Sequence, residues 1–263
     1  MVRKIRAKKR TLLIDGSILV YRIASAIEVA TEWSHDMWTL HADAKTGKDI
    51  VDNEIQRYLK QLNCKDAVVV LDDKENFRKK LLPEYKSHRR KIRKPIILNP
   101  LKEYLKTKFD VRIFPTLEGD DTLGILATSE FKDDCIILSA DKDMRTIPCF
   151  HHFMHDNHTE LVDEPTADYN FMFQTLTGDL SDGYKGLEKC GAVKAERVLQ
   201  KVNKTLPEMW KAVVEEYKRS DYSSKDALLQ ARMARILRST DYNFKTKKPI
   251  LWQAPKIKER TVQ

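Results

Sequence analysis

Cysteine is scarce in this chain: only Cys64, Cys135, Cys149 and Cys190 are present, and none forms a Cys-x-x-Cys pair. That scatter argues against a disulfide-built scaffold or a thiolate zinc site. Cys64 and Cys135 adjoin strand-like runs, where buried thiols are expected. Long apolar runs are also missing, and none approaches the ~20 residues that a membrane-spanning helix needs. Basic Met1–Arg10 is not followed by an apolar stretch with a cleavage site, so it does not read as a signal peptide. A soluble, cytoplasmic chain is the expectation. There is no internal repeat, no low-complexity linker and no Gly-x-x-x-x-Gly-Lys-Ser/Thr cradle to suggest ATP use.

The 263 residues suffice for one large domain, or for a main domain with a small helical one, and 41% hydrophobic content can build a core. The net charge is +9, which points to an anionic partner, most commonly nucleic acid. The distribution of charge is more informative. Residues 74–94 hold Lys74, Arg78, Lys79, Lys80, Lys86, Arg89, Arg90, Lys91, Arg93 and Lys94. Residues 118–143 hold Glu118, Asp120, Asp121, Asp133, Asp134, Asp141 and Asp143. Acids concentrated in a basic chain suggest metal sites set within a phosphate-binding surface.

Thr11–Asp15, Ala67–Leu71, Val111–Phe114 and Cys135–Leu138 read as short buried strands, with helical spacing between them. Residues 31–49 show no clear period and read as a loop. Asn99 and Pro100 suit a helix start. Continuous apolar strands alternating with helices predict an α/β domain with a mostly parallel central sheet flanked by helices. Ligands of such sheets bind beyond the carboxyl ends of the strands, where Asp15, Asp72, Asp73, Asp141 and Asp143 fall. From about residue 165 the pattern is helical. Thr205–Glu208 fits a capping box, and a further helix is expected over 224–238.

Asp15, Asp73, Glu118, Asp120, Asp121, Asp141, Asp143, Asp179 and Asp182 are the candidate metal ligands. An all-oxygen set suits Mg²⁺, and two such ions can neutralise both the attacking and leaving oxygens of a phosphodiester. Any one of these acids could instead be a cap or a surface charge; Asp120 and Asp121, for instance, suit a helix N-terminus. Their recurrence where strands end favours a common site.

The ordered motifs Leu-Ile-Asp15-Gly, Leu-Pro-Glu-Tyr85-Lys86-Ser-His-Arg89, Leu-Glu118-Gly-Asp120-Asp121, Ser-Ala-Asp141-Lys-Asp143 and Thr-Gly-Asp179-Leu-Ser-Asp182 resemble the 5′→3′ exonuclease/flap endonuclease family, and most closely its phage branch. The resemblance runs from about residue 11 to 252. It implies a PIN-like 5′-nuclease fold, with an α/β domain over 1–164 and a helical region over 165–263. It also implies a basic helical arch at about 74–95 and a helix–hairpin–helix at about 176–202. A tighter metal site would use Asp15, Asp73, Glu118, Asp120 and Asp141. A looser one would use Asp143, Asp179 and Asp182, with Asp121 beside the first as a ligand or a supporting group. The family has one acid after the second strand: the spacing Asp73-x-x-Asn-Phe-Arg favours Asp73, and the polymerase-like pattern favours Asp72.

The resemblance further implies Mg²⁺-dependent hydrolysis from 5′ ends, leaving a 5′-phosphate, with Mn²⁺ as a substitute. Its substrates would be duplex DNA with 5′ ends or flaps and RNA–DNA hybrids, in phage replication, recombination and primer removal. The balance between exonuclease and flap endonuclease action stays open. A non-catalytic DNA-binding protein on the same fold is the alternative from another class. Lys86 and Arg89 match residues that contact the scissile phosphate, with Tyr85 near them. Arg78, Lys79, Lys80 and Arg90 would hold nucleic acid in the arch, although such a charge run also suits a solvated helix face. Lys185, Gly186, Gly191 and Lys194 would grip duplex backbone, with K⁺ as an accompanying ion. The spacing of His151, His152, His155 and His158 does not assemble a metal site, because strand alternation separates the first two.

Overall fold

The computed structural model describes residues 9–255. A six-stranded sheet runs in the order β5-β4-β1-β6-β7-β8, formed by β1 (Thr11–Asp15), β4 (Asp66–Val70), β5 (Asp110–Arg112), β6 (Cys135–Ser139), β7 (Phe150–Phe153) and β8 (His158–Leu161). All pairings are parallel except β7–β8. β1 lies between β4 and β6, with Asp15 opposite Val70 and Ile14 opposite Leu138. Three strand ends therefore point their following acids to one edge.

Alternation along β1 divides its side chains between two cores. Leu12 and Ile14 join a cluster with α1 (Gly16–Ile27), α2 (Ala44–Gln61) and α4 (Leu98–Lys108). Leu13 faces the other way, toward Val70, Ile137 and Leu123 of α5 (Gly119–Ala127). Each fully buried Leu or Ile contributes about 1.5–3 kcal/mol. A third core belongs to α6 (Glu164–Thr177), α7 (Ala192–Leu199), α8 (Leu206–Arg219) and α9 (Ser224–Ala234). There Trp252 meets Trp210 and Phe171 edge-on, at centroid distances of 5.1 and 5.2 Å.

Several local expectations shift. Residues 31–49 are not a loop: β2 (Val29–Ser34) and β3 (Met37–His41) form an antiparallel hairpin, and Asp43 caps α2 through Lys45 N and Thr46 N. Trp33 and Trp38 on that hairpin are 67% and 56% exposed, so burial leaves no simple apolar pattern to read. α4 begins at Leu98, with Pro100 in its first turn, where a missing N–H costs no internal bond. α9 stops at Ala234, with Arg235 already extended. Thr205 Oγ1 donates to Glu208 Oε2 at 3.2 Å, but Thr205 makes no side-chain bond to the helix backbone.

The basic stretch holds less helix than expected. It is a strap with one helical turn, α3 (Arg78–Leu81), and a 3₁₀ turn at Ser87–Lys91. Leu82, just before Pro83, is extended at φ −142°, ψ 98°, as the proline ring demands. The Arg90 side chain lies outside the described residues.

Candidate active site

Asp15 is fixed on both sides. One carboxylate oxygen accepts from Ile18 N at 3.0 Å, capping α1, and the other accepts from Ser139 Oγ at 2.9 Å. Ser139 Oγ also accepts from Asp141 N at 3.0 Å. One hydroxyl thus ties the ends of β1 and β6 together; Ser139 opens the Ser-Ala-Asp141-Lys-Asp143 motif, but only the fold shows that its hydroxyl reaches Asp15.

Of the two acids that follow β4, the structure places Asp72 rather than Asp73 beside Asp15. Asp72 accepts from Gly119 N at 2.9 Å and lies close enough to Asp15 to raise its pKa. Asp73 turns away and accepts from Thr116 N at 2.7 Å, which lowers its own pKa. Its task is to hold the loop leading to Glu118. Adjacent residues on extended backbone face opposite ways, so only one of the two can join the site.

Asp121 is placed apart from the other acids. It is fully buried and grips the Arg78 guanidinium, with Nη1 and Nη2 donating at 2.6 and 2.8 Å. Asp121 also accepts from Leu237 N at 3.1 Å. Arg78 further donates to the Met233 and Arg235 carbonyls at 3.1 and 2.6 Å. Both Asp121 oxygens are thus taken by Arg78, and Arg78 is 3% exposed, with its side chain turned inward rather than along the outer face of the strap.

Glu118, Asp120, Asp141, Asp143 and Asp182 line one cavity of about 20 Å³, while Asp179 lines a neighbouring one. Gln174, which belongs to no motif, completes one wall of the first. Burial raises the pKa of Asp15 to about 7, helped by Asp72 and Asp141. Burial likewise raises Asp143 to about 7, with Asp141 and Asp179 adding to it, and lifts Asp120 well above its usual value. Asp182 is raised by burial despite the pull of Lys86. Glu118 behaves differently: burial would raise it, but Lys86 and Arg78 win and hold it at about 2.

Two acids already carry cations from the strap. Lys86 Nζ lies 2.6 Å from Glu118 and 3.3 Å from Asp182, and Arg89 lies 2.6 Å from Asp182. The Tyr85 hydroxyl lies 2.8 Å from Glu118 and 3.0 Å from Asp182, bridging the two acid groups. Lys86 has a left-handed backbone, φ 52°, and its N–H donates to the Asp182 carbonyl at 2.8 Å. The strap is thus pinned by its main chain as well as by charge. Lys79 and Lys80 are exposed on α3.

The donor set fits divalent cations. Burial is the foremost reason that Asp15, Asp120 and Asp143 are raised, and neighbouring carboxylates, Asp141 on all three, add negative charge that a cation would balance. Among the described residues, no three His, Cys, Asp or Glu side chains close on one point as a finished cage. Mg²⁺ characteristically keeps several waters and few direct carboxylates. His151 and His152 are buried away from the acids. Ile147 O holds one ring and Thr159 Oγ1 the other, and burial lowers His151 to about 4.

Beyond the acids the chain turns back on itself. Gly178 and Gly186 both have positive φ, +66° and +63°, and a Cβ on Gly178 would lie 2.3 Å from the Lys185 carbonyl carbon. Only glycine permits that crossing. Gly191 is the N-cap of α7 with open space beside it, and Lys185 is exposed. Lys194 pairs with Glu216 at 3.0 Å. Cys190 is buried, as an apolar side chain would be.

A parallel sheet with acids at its strand ends, a basic strap over them and a glycine crossing behind them defines a nuclease of the 5′-3′ exonuclease class. The family model for the 5′-3′ exonuclease N-terminal resolvase-like domain matches residues 10–169, and the chain belongs to that family. It is similar to the exonuclease of Escherichia phage T7, with 29% identity over 93% of this chain and 94% of that protein. It is also similar to the exodeoxyribonuclease of Enterobacteria phage T3, with 28% identity and 93% of each chain covered. The fold is shared with the bacteriophage T5 flap endonuclease in complex with DNA and metal ions, at TM-score 0.66 and 16% identity, covering 88% of this chain and 89% of that one. It is shared also with T5 5′-exonuclease bound to zinc, at TM-score 0.67 and 17% identity, covering 88% and 90%.

Proposed function

We propose that this chain is a Mg²⁺-dependent 5′→3′ exonuclease that hydrolyses duplex DNA and RNA–DNA hybrids from their 5′ ends. The observation that carries this reading is the meeting of Glu118 and Asp182 with Lys86, Arg89 and Tyr85 of the strap. Asp15, Asp72, Glu118, Asp120 and Asp141 would hold one divalent ion, and Asp143, Asp179 and Asp182 a second. Bound there, such ions neutralise the phosphate and lower the pKa of an attacking water.

The chain's own residues supply the rest. Lys86 and Arg89 exchange their carboxylate partners for the phosphate oxygens, offsetting the charge that develops as water attacks. Tyr85 keeps the two acid groups at a fixed separation. Water adds to phosphorus in line, the bond to the 3′ oxygen breaks, that oxygen takes up a proton and leaves as the 3′-hydroxyl of the released nucleotide, and the shortened strand carries the new 5′-phosphate. Lys79, Lys80 and Arg90 guide a single strand along the strap. Lys185, Gly186, Gly191 and Lys194 hold duplex backbone, with K⁺ at the turn. Primer removal during phage replication is the corresponding role.

The deciding assay uses 5′-overhang duplexes and RNA–DNA hybrids labelled separately at each end, with Mg²⁺, with EDTA, and with Asp141→Ala. Mg²⁺-dependent shortening from the 5′ end that the variant lacks supports this reading. No cleavage by folded wild type on either substrate overturns it in favour of a non-catalytic DNA-binding protein. Flap endonuclease action is the second reading. It is favoured by similarity to a protein named flap endonuclease Xni from a Shewanella strain, 32% identical over 50% of this chain and 48% of that protein. Oligonucleotide rather than mononucleotide products would support it.

A further inference from the structure

The acid cavity has a larger neighbour. A second cavity of about 510 Å³ opens beside it, and Asp143 and Gln174 line both. Lys142, Arg145, Asn170 and Phe173 form one part of its remaining wall, the segment 177–181 with the candidate ligand Asp179 forms another, and no strap residue takes part. A strand whose phosphate sits at the acids therefore has room on a side not occupied by Lys86 and Arg89. The volume is within the range of small-ligand sites, roughly 300–1,000 Å³.

Its chemistry is specific. Phe173 presents a half-buried ring, backed by Tyr169 at a centroid distance of 6.3 Å. Lys142 is exposed and makes no ion pair among the described residues. Arg145 is held in place: its Nε donates to Glu160 at 2.5 Å, its guanidinium lies over the Phe153 ring, and Asn170 Nδ2 donates to its carbonyl at 2.9 Å. Gln174 Oε1 is buried with no hydrogen-bond partner. A buried acceptor left unmatched is costly, and because the Gln174 side chain lines both cavities, a turn of its amide would let a ligand N–H or O–H satisfy it. An aromatic platform, two cations and a waiting acceptor together describe one nucleotide.

We propose that this cavity is a nucleotide subsite that receives one residue of the strand being cut, next to the scissile phosphate. The base lies on Phe173, a base or sugar donor meets Gln174 Oε1, and the adjoining phosphate faces Lys142 and Arg145. The subsite rests on the nuclease reading and deepens it by assigning a binding place to a flanking nucleotide.

The test scans a labelled 5′-overhang duplex with single abasic nucleotides on either side of the cut. Affinity is measured by fluorescence anisotropy with Ca²⁺ replacing Mg²⁺, and gels confirm that the duplex stays whole. Base–aromatic stacking translates into about a 5- to 150-fold change in affinity. One abasic position is expected to weaken wild type by that order, and Phe173→Ala is expected to lose as much on intact duplex and nothing further at that position. Circular dichroism checks that the variant folds. Lys142→Ala, at an exposed position, provides an independent arm: the slope of log affinity against log salt should fall by about 1. Abasic penalties that persist in Phe173→Ala, or an unchanged salt slope in Lys142→Ala, overturn the subsite while leaving cleavage intact. A folded wild type that neither binds nor cuts the intact duplex overturns the nuclease reading along with it.

Discussion

Arg78 and Asp121, 43 residues apart, form a buried two-pronged ion pair with contacts of 2.6 and 2.8 Å. The pair joins the root of the strap to α5, and through the Met233 and Arg235 carbonyls to the end of α9. Removing one partner of such a pair strands a charge in the interior, a loss of about 3–5 kcal/mol. Arg78→Met is accordingly expected to lower the denaturant midpoint strongly. Because Arg78 does not reach solvent, the salt dependence of DNA binding by the folded fraction should stay that of wild type. A reduced salt slope with undiminished stability would return Arg78 to the DNA-binding surface.

Asp72 and Asp73 separate cleanly by substitution. Asp72→Asn is expected to cut activity or metal affinity by at least about 10-fold, in the range seen when groups around a metal site are changed. Asp73→Asn keeps an oxygen for Thr116 N and should retain activity within a few-fold. Single-turnover rates at saturating Mg²⁺, with calorimetric metal titrations, decide between the two, and the reverse ranking would restore Asp73 to the site.

Lys86→Ala is expected to reduce the single-turnover rate by about 100- to 1,000-fold, the scale for losing one preorganised partner of the developing charge. Glu118 should also titrate at higher pH in that variant, because Lys86 is the foremost group holding it at about 2. An unchanged rate at saturating substrate would remove Lys86 from the chemistry.

The crowded acids set a pH dependence of stability. Asp15 and Asp143 have folded pKa values raised to about 7, above the ~4 of an unfolded aspartate. The native chain therefore binds more protons than the unfolded chain between about pH 4 and 7, and stability falls as pH rises through that window. In EDTA, Tm should be higher at pH 5.5 than at pH 8. Mg²⁺ should raise Tm more at pH 8, where the acids are ionised and free to bind it. Equal Mg²⁺ increments at the two pH values would dissociate these acids from metal binding.

Much of this site is legible in the order of residues along the chain. Asp15, Glu118, Asp120 and Asp141 stand where short apolar strands end, and sheet topology alone brings strand ends together. The choice between Asp72 and Asp73 is not legible in that way, because it turns on which face one residue presents at the end of β4. Arg78 is hidden by its company: inside a basic run it reads as surface, and only a partner 43 residues away reveals its burial. Gln174 carries no charge and belongs to no metal-ligand pattern, so its place between two cavities emerges only when α6 packs beside the acids. The β2–β3 hairpin leaves no periodic signal because both strands are largely exposed, which removes the alternation that identifies a half-buried strand.

The tryptophans furnish separate optical reporters. Trp33 and Trp38 stand in water on the hairpin, while Trp210 and Trp252 meet inside the helical core. A soluble quencher such as iodide should reach the first pair and spare the second. Replacing Trp33 and Trp38 with phenylalanine would leave an emission signal from the helical core alone, and replacing the other two would leave one from the hairpin. Melting of the helical half and movement of the hairpin could then be timed independently in the same molecule, with no dye attached.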